Sequence, residues 1–210
     1  MGYDMLPMLN QAVHIIKSGG VIIYPTETLY ALGCNARDSI AVDRIFAIKD
    51  RPMSKPLPVI VGSWEQFLQL TEPDENVVRM VRIFWPGSLS VLVKIKGPLS
   101  SRVRDDAGWT SVRFTPHATA REICRLSGAP LVATSANQSG LPASARTADL
   151  DRQVGAAVDL VVDTPPFPGG GLPSTLIRVV SATVVQVLRP GAIPVSAFYE
   201  RGIDVSPLPL

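Results

Sequence analysis

Nineteen of the 210 residues are proline, and most stand at the ends of apolar runs rather than within them. Proline fixes φ and has no N–H to donate, so a chain punctuated in this way is divided into short elements. Residues 6–17 carry apolar side chains at helical spacing (Leu9, Val13, Ile16) and stop at Gly19-Gly20. Residues 21–24 form a β-branched run closed by Pro25, the pattern of a short buried strand. A second helix begins at Ser39 and delivers Lys49 at its end, where Arg51-Pro52 turns the chain out of helical geometry. Residues 57–61 read as a strand, and Ser63-x-x-Gln66 as a capping box opening a short helix. Residues 74–84 and 118–126 read as helices, and a short terminal helix is expected over 195–200. Strands are expected over 89–95, 111–115, 130–134, 160–163, 174–180 and 183–188.

Strands and helices therefore alternate, which predicts an α/β or α+β fold around one twisted sheet. The consecutive strands late in the chain argue against a purely parallel doubly wound sheet. The length fits one compact domain, expected over residues 1–203, with 204–210 as a loosely held tail. Apolar residues make up 46% and charged residues 18%, which places the chain in the globular class. No apolar stretch approaches the ~18 residues of a membrane span. The start does not read as a secretory signal. Cys34 and Cys124 lie far apart in sequence and fit neither a disulfide framework nor a metal pattern, so reduced, half-buried thiols in a cytoplasmic protein are expected.

A net charge of +2 is too small to announce a nucleic-acid binder. The cations are clustered, however, and a locally positive cleft suits a small anion. Lys49-Asp-Arg-Pro-Met-Ser-Lys55 puts three cations in one proline-stiffened loop, with a guanidinium able to grip phosphate through paired bonds. The plain alternative is a solvated basic turn. Tyr24-Pro-Thr-Glu-Thr-Leu-Tyr30 follows a strand with two hydroxyls and a carboxylate able to grip a polar substrate, or else caps a strand-to-helix turn. Ala133-Thr-Ser-Ala-Asn-Gln-Ser-Gly140 offers small donors where backbone could approach a phosphate, or else makes an ordinary Asx/Ser turn. No Walker lysine pattern, Rossmann fingerprint or Gly-x-Ser-x-Gly elbow is present, and two histidines with two scattered cysteines make no zinc site.

The order of these motifs is specific. Tyr-Pro-Thr-Glu-Thr-x-Tyr-x-Leu-Gly (24–33), Lys-x-Arg-Pro-x-x-Lys-Pro-Leu (49–57), Trp-Pro-Gly (85–87), Val-Arg (112–113), Thr-Ser-Ala-Asn-x-Ser-Gly (134–140), Ser-Thr (174–175) and Leu-Arg-Pro-Gly (188–191) together closely resemble the YrdC/TsaC family. The resemblance runs over about residues 8–194. It implies a large twisted mixed β-sheet flanked by helices, with a positively charged concave cleft.

It also implies a nucleotidyltransferase that makes L-threonylcarbamoyladenylate and pyrophosphate from L-threonine, bicarbonate and ATP with Mg²⁺. The product would pass to a partner complex, a threonylcarbamoyl transferase, that modifies tRNA. The implied catalytic set is Lys49, Arg51, Ser135 and Asn137. L-Threonine would be held by Thr28, Arg113 and Ser174, and ATP by Arg51, Lys55, Ser135, Ser144 and Arg189. No protein-held metal is expected. Ala31, Lys55, Ile60, Trp109 and Ala143 depart from residues common in the family, and Ser144 is taken to serve for Ala143. The short form of the family is expected, without the longer members' extra domain. The alternative from another class is an RNA-binding protein of the same fold, using the cleft for structured, double-stranded RNA. A carbamoyl-transfer domain of the hydrogenase-maturation type shares the fold as well.

Overall fold

The computed structural model describes residues 5–207. In chain order its elements are α1 (Met5–Lys17), β1 (Ile22–Pro25), β2 (Tyr30–Gly33), α2 (Ser39–Lys49), β3 (Val59–Val61), α3 (Trp64–Leu70), α4 (Glu75–Phe84), β4 (Leu89–Lys94) and β5 (Trp109–Phe114). They continue as α5 (Ala118–Ser127), β6 (Leu131–Val132), β7 (Thr134–Ser135), α6 (Arg152–Ala156), β8 (Leu160–Val161), β9 (Thr175–Val179), β10 (Val184–Arg189), α7 (Ser196–Tyr199) and β11 (Asp204–Ser206). Helix starts have a chemical reason. Asp38, Asp74 and Asp151 each accept from backbone amides of the first turn of α2, α4 and α6, satisfying donors a helix leaves without partners. Ser63 caps α3 by accepting from the Gln66 amide at 3.2 Å. The expected capping box closes only halfway, because the Gln66 side chain accepts from Gly62 N and donates to the Cys124 carbonyl, both at 2.8 Å. Those bonds tie α3 to α5.

A mixed sheet flanked by helices is present, divided in two. One sheet runs β7-β2-β1-β8 and the other β11-β10-β9-β4-β5-β3-β6. Residues 26–29 lead into no helix: they turn β1 back antiparallel as β2. One strand is expected over residues 130–134, but residues 131–135 are shared between sheets. Leu131–Val132 pairs with β3, and Thr134–Ser135 pairs with β2. Ala133 between them donates to the Pro58 carbonyl at 2.9 Å. This segment sutures the two sheets, and Gly33 is what lets them meet. A Cβ at Gly33 would lie 2.0 Å from the Val132 carbonyl oxygen, and that same oxygen accepts from the Tyr24 hydroxyl at 2.7 Å.

The two faces of β1 serve two cores. Ile22 and Tyr24 pack with Leu9, Val13 and Ile16 of α1 and Ile123 of α5. Val21 and Ile23 pack with Val42, Ile45 and Phe46 of α2. Period-two alternation with both faces covered gives the unbroken apolar run seen in the sequence. Cys34 and Cys124 are free and fully rather than half buried, and burial pushes both thiols up. The loosely held tail expected from residue 204 is corrected over its first residues. Asp204–Ser206 pairs in parallel with β10, and Gln186 donates to the Pro207 carbonyl at 3.0 Å. Residues 208–210 lie outside the described residues. No helix among the described residues is long and apolar enough to cross a membrane.

Candidate active site

The suture, the β1–β2 turn and the ends of β4, β5 and β10 surround a cavity of about 270 Å³. Arg51, Arg113 and Arg189 line it with the hydroxyl residues Thr26, Thr28, Tyr30, Ser90, Thr134, Ser135 and Ser174. No acidic side chain lines it among the described residues. Arg51 and Arg189 have no carboxylate partner among the described residues, and desolvated guanidiniums left unpaired in this way make a receptor for anions. Burial pushes Arg51 down from its ordinary value. Burial first, and then the charge of Arg113, do the same to Arg189.

Helix α2 ends with Asp50 in the left-handed region (φ 47°), and the Arg51 amide bonds back to the Phe46 carbonyl at 3.1 Å. That turn sends successive cations in different directions. Lys49 points inward and is 2% exposed. Its ammonium donates to the carbonyls of Ser135, at 2.5 Å, and of Asn137. Burial, reinforced by the Arg51 charge, pushes Lys49 down to about 8. Arg51 reaches the cavity and braces its own loop through Nε to the Lys55 carbonyl at 3.2 Å and Nη2 to the Pro56 carbonyl at 2.9 Å. Lys55 is exposed and outside the cavity wall. The three cations expected to act together on one loop are thus separated into a buried pin, a cavity group and a surface charge.

On the opposite wall, Arg113 projects from β5 and pairs with Glu27, whose other oxygen accepts from the Thr115 hydroxyl at 2.8 Å. Ser174 shares its hydroxyl with Ser90 at 2.8 Å and accepts from Arg189 through both Oγ (3.2 Å) and its carbonyl (2.8 Å). The Leu-Arg-Pro-Gly motif explains this seat. Arg189 holds Ser174, and Gly191 lies so close that a Cβ there would sit 2.2 Å from the Pro173 carbonyl oxygen.

Of the residues singled out from sequence, Thr28, Arg51, Arg113, Ser135, Ser174 and Arg189 converge on the cavity. Lys49, Asn137, Lys55 and Ser144 do not line it. Asn137 donates to the carbonyls of Gln138 and Leu141 and shapes its own loop. Ser144, expected to stand in for Ala143, turns its hydroxyl to the backbone of Arg146 at 2.7 and 2.9 Å, while Ala143 lines the wall. Ser90 was not singled out, because it sits in the strand-like run Leu89-Ser90-Val91. Its signal was a lone hydroxyl alternating with buried apolar neighbours.

A family model described as Sua5_yciO_yrdC, telomere recombination, matches residues 14–191. The threonylcarbamoyl-AMP synthase of Bacillus subtilis is 34% identical over 189 residues, covering 89% of this chain and 54% of that protein. The threonylcarbamoyl-AMP synthase of Idiomarina loihiensis is 32% identical over 186 residues, covering 87% of this chain and 97% of that one. The crystal structure of P. abyssi Sua5 complexed with L-threonine superimposes with a TM-score of 0.84 at 29% identity, covering 94% of this chain and 58% of that chain. E. coli YciO superimposes with a TM-score of 0.77 at 25% identity, over 91% of this chain and 93% of that one. The chain spans little more than half the length of the Bacillus subtilis and P. abyssi proteins and nearly all of the Idiomarina loihiensis one.

Proposed function

The chain belongs to the Sua5/YciO/YrdC family, and from that premise we propose that it forms L-threonylcarbamoyladenylate and pyrophosphate from L-threonine, bicarbonate and ATP. The observation that carries this reading is the cavity wall, where Arg51, Arg113 and Arg189 converge among hydroxyls, Arg51 and Arg189 without an acidic partner among the described residues and Arg113 paired from behind with Glu27. A carboxylate and a polyphosphate can share such a receptor, each with its own guanidinium.

In this reading Arg113 takes the threonine carboxylate, and Thr28 and Ser174 take its ammonium-derived and hydroxyl groups. Threonine's amine adds to bicarbonate with loss of water, and a carbamate oxygen then attacks the α-phosphorus of ATP as pyrophosphate leaves. Such a displacement asks the protein mainly for positioning and for charge placed where it develops. Arg51, Arg189 and the hydroxyl of Ser135 face the phosphates. Lys49 and Asn137 act from behind, by holding the loop that presents Ser135. A pocket whose hydroxyls bond the threonine side chain leaves them unpaired around valine, which gives selectivity.

The donors at this cavity are neutral hydroxyls and carbonyls, and no cluster of three His, Cys, Asp or Glu suited to a metal exists among the described residues. They do not fit a resident magnesium site, which draws on carboxylates. Mg²⁺ therefore enters as part of the MgATP substrate. The product is a mixed anhydride, fit to be consumed by a threonylcarbamoyl transferase complex acting on tRNA. A cavity of about 270 Å³ is of a size for small substrates rather than for structured RNA.

Mass spectrometry of the product formed from ATP, L-threonine and labelled bicarbonate tests the proposal. The expected species carries the label together with threonine and AMP. ATP turnover that ignores threonine or bicarbonate would sink it.

A further inference from the structure

We propose that Glu27 is a positioning residue for Arg113, and that the Glu27 turn couples this clamp to the loop leading into Ser174. The inference rests on the reading above, in which Arg113 receives the threonine carboxylate. Glu27 lies in the turn between β1 and β2 and does not line the cavity, whereas Arg113 does. The carboxylate sits behind the guanidinium, and the pair is largely buried, with side-chain exposures of 14% and 7%.

Both carboxylate oxygens are used. One accepts from Arg113 Nη1 and the other from the Thr115 hydroxyl at 2.8 Å. That hydroxyl oxygen accepts in turn from the His117 amide at 3.2 Å. A long side chain at the end of a strand is thereby held in one orientation by a carboxylate that is itself fixed from two sides. Pre-orientation of this kind lets a planar guanidinium present its remaining donors to a ligand without a further search.

The same turn holds the loop over residues 165–173. The Glu27 carbonyl accepts from the Gly169 amide at 3.3 Å, and the Thr28 carbonyl from the Gly170 amide at 2.8 Å. His117 faces the Pro166 carbonyl with Nε2 at 2.9 Å, which fixes the far end of that loop. Ser174 follows directly and is seated on Ser90 and Arg189. Arg113 and Thr28 are thus placed by one turn, which also holds the loop that runs into Ser174. Nothing equivalent joins this turn to Arg51 or to the loop of Lys49 among the described hydrogen bonds.

The experiment separates KM for L-threonine from KM for ATP in the full chain, comparing wild type, Glu27→Gln and Thr115→Val. Glu27→Gln should raise the threonine KM about tenfold or more, as when a buried charge partner is removed, and leave the ATP KM within about twofold. Thr115→Val, which keeps shape and loses the donor, should shift threonine in the same direction by about threefold. It also serves as the arm of the test if Glu27→Gln does not fold. Equal changes in both KM values would mean a merely structural role and would overturn the proposal, as would an unchanged threonine KM. Tighter threonine binding in Glu27→Gln would also overturn it, showing a carboxylate that competes with substrate for Arg113. If wild type itself shows no saturable dependence on threonine, the proposed function falls and this inference with it. If wild type saturates and both variants match it, the inference alone falls.

Discussion

The Lys49 ammonium lies 2.5 Å from the Ser135 carbonyl oxygen and turns its back on the cavity that Ser135 lines. A charge expected at the phosphates is therefore spent on the backbone that carries a phosphate-facing hydroxyl. Burial holds Lys49 down to about 8, below its ordinary 10.5. As pH rises through about 8 the ammonium is lost, its charge-assisted bonds weaken, and kcat/KM should decline. Stability moves the other way. Between about 8 and 10.5 the unfolded chain binds a proton that the folded one has released, so wild type should gain stability relative to Lys49→Met over that window. Denaturation curves of both proteins across the window, beside a pH–rate profile, check both signs.

Arg51 and Lys55 should separate cleanly. Arg51 lines the cavity and Lys55 does not. Arg51→Ala should slow kcat by about tenfold or more, as for a lost phosphate contact. Lys55→Ala should stay within about twofold, the scale of an exposed charge. Steady-state rates of pyrophosphate release distinguish them, and equal losses would restore the three-cation loop as one unit.

The Ser90–Ser174 hydroxyl pair predicts selectivity. L-Valine, isosteric with threonine but without a hydroxyl, should be turned over about 10⁴-fold less efficiently than threonine, or worse. Ser174→Ala should narrow that ratio chiefly by impairing threonine. Competition between the two amino acids for product formation measures it directly.

Gly33→Ala should destabilise the fold by roughly 1–3 kcal/mol or more, the cost of overpacking at a rigid contact. The added methyl would meet the Val132 carbonyl oxygen, a backbone atom with no rotamer to give. Urea midpoints, compared with those of Gly128→Ala, make the check. Gly128 has open space around it, so its variant carries only the strain of its positive φ.

Much of the fold was legible where one local signal decided the outcome. The start of α2 at Ser39 and its end at Lys49 followed from apolar spacing and the Arg51-Pro52 stop. The strand β10 followed from a β-branched run ending at Arg189-Pro190. Misreadings arose where a partner distant in sequence decided. Tyr30–Gly33 is a strand because it pairs with Ile22–Pro25 on one side and Thr134–Ser135 on the other, and nothing within its own four residues announces that. The division of residues 131–135 between two sheets is likewise a matter of which edge each half meets. Residue types and order sufficed to single out Arg51, Arg113, Ser135 and Ser174 as residues that meet at one cavity. The inward turn of Lys49 depends on a left-handed aspartate, an uncommon conformation that composition does not reveal. Ser144 missed the cavity because adjacent residues face different surroundings, and a hydroxyl one position along is not a substitute for one at the wall.

The suture at residues 131–135 has a consequence for how the protein is made. Strand β1 waits for β8, and β2 waits for β7, while the cavity wall runs from Thr26 to Arg189. A nascent chain emerging from the ribosome carries its first cavity residues long before their partners exist. Apolar β2 and β1 then each present an open edge until β7 and β8 have been made, the exposure that invites misassembly. Truncated products that end before β7 should therefore accumulate as aggregates rather than as folded protein. The cavity is among the last things this chain can complete.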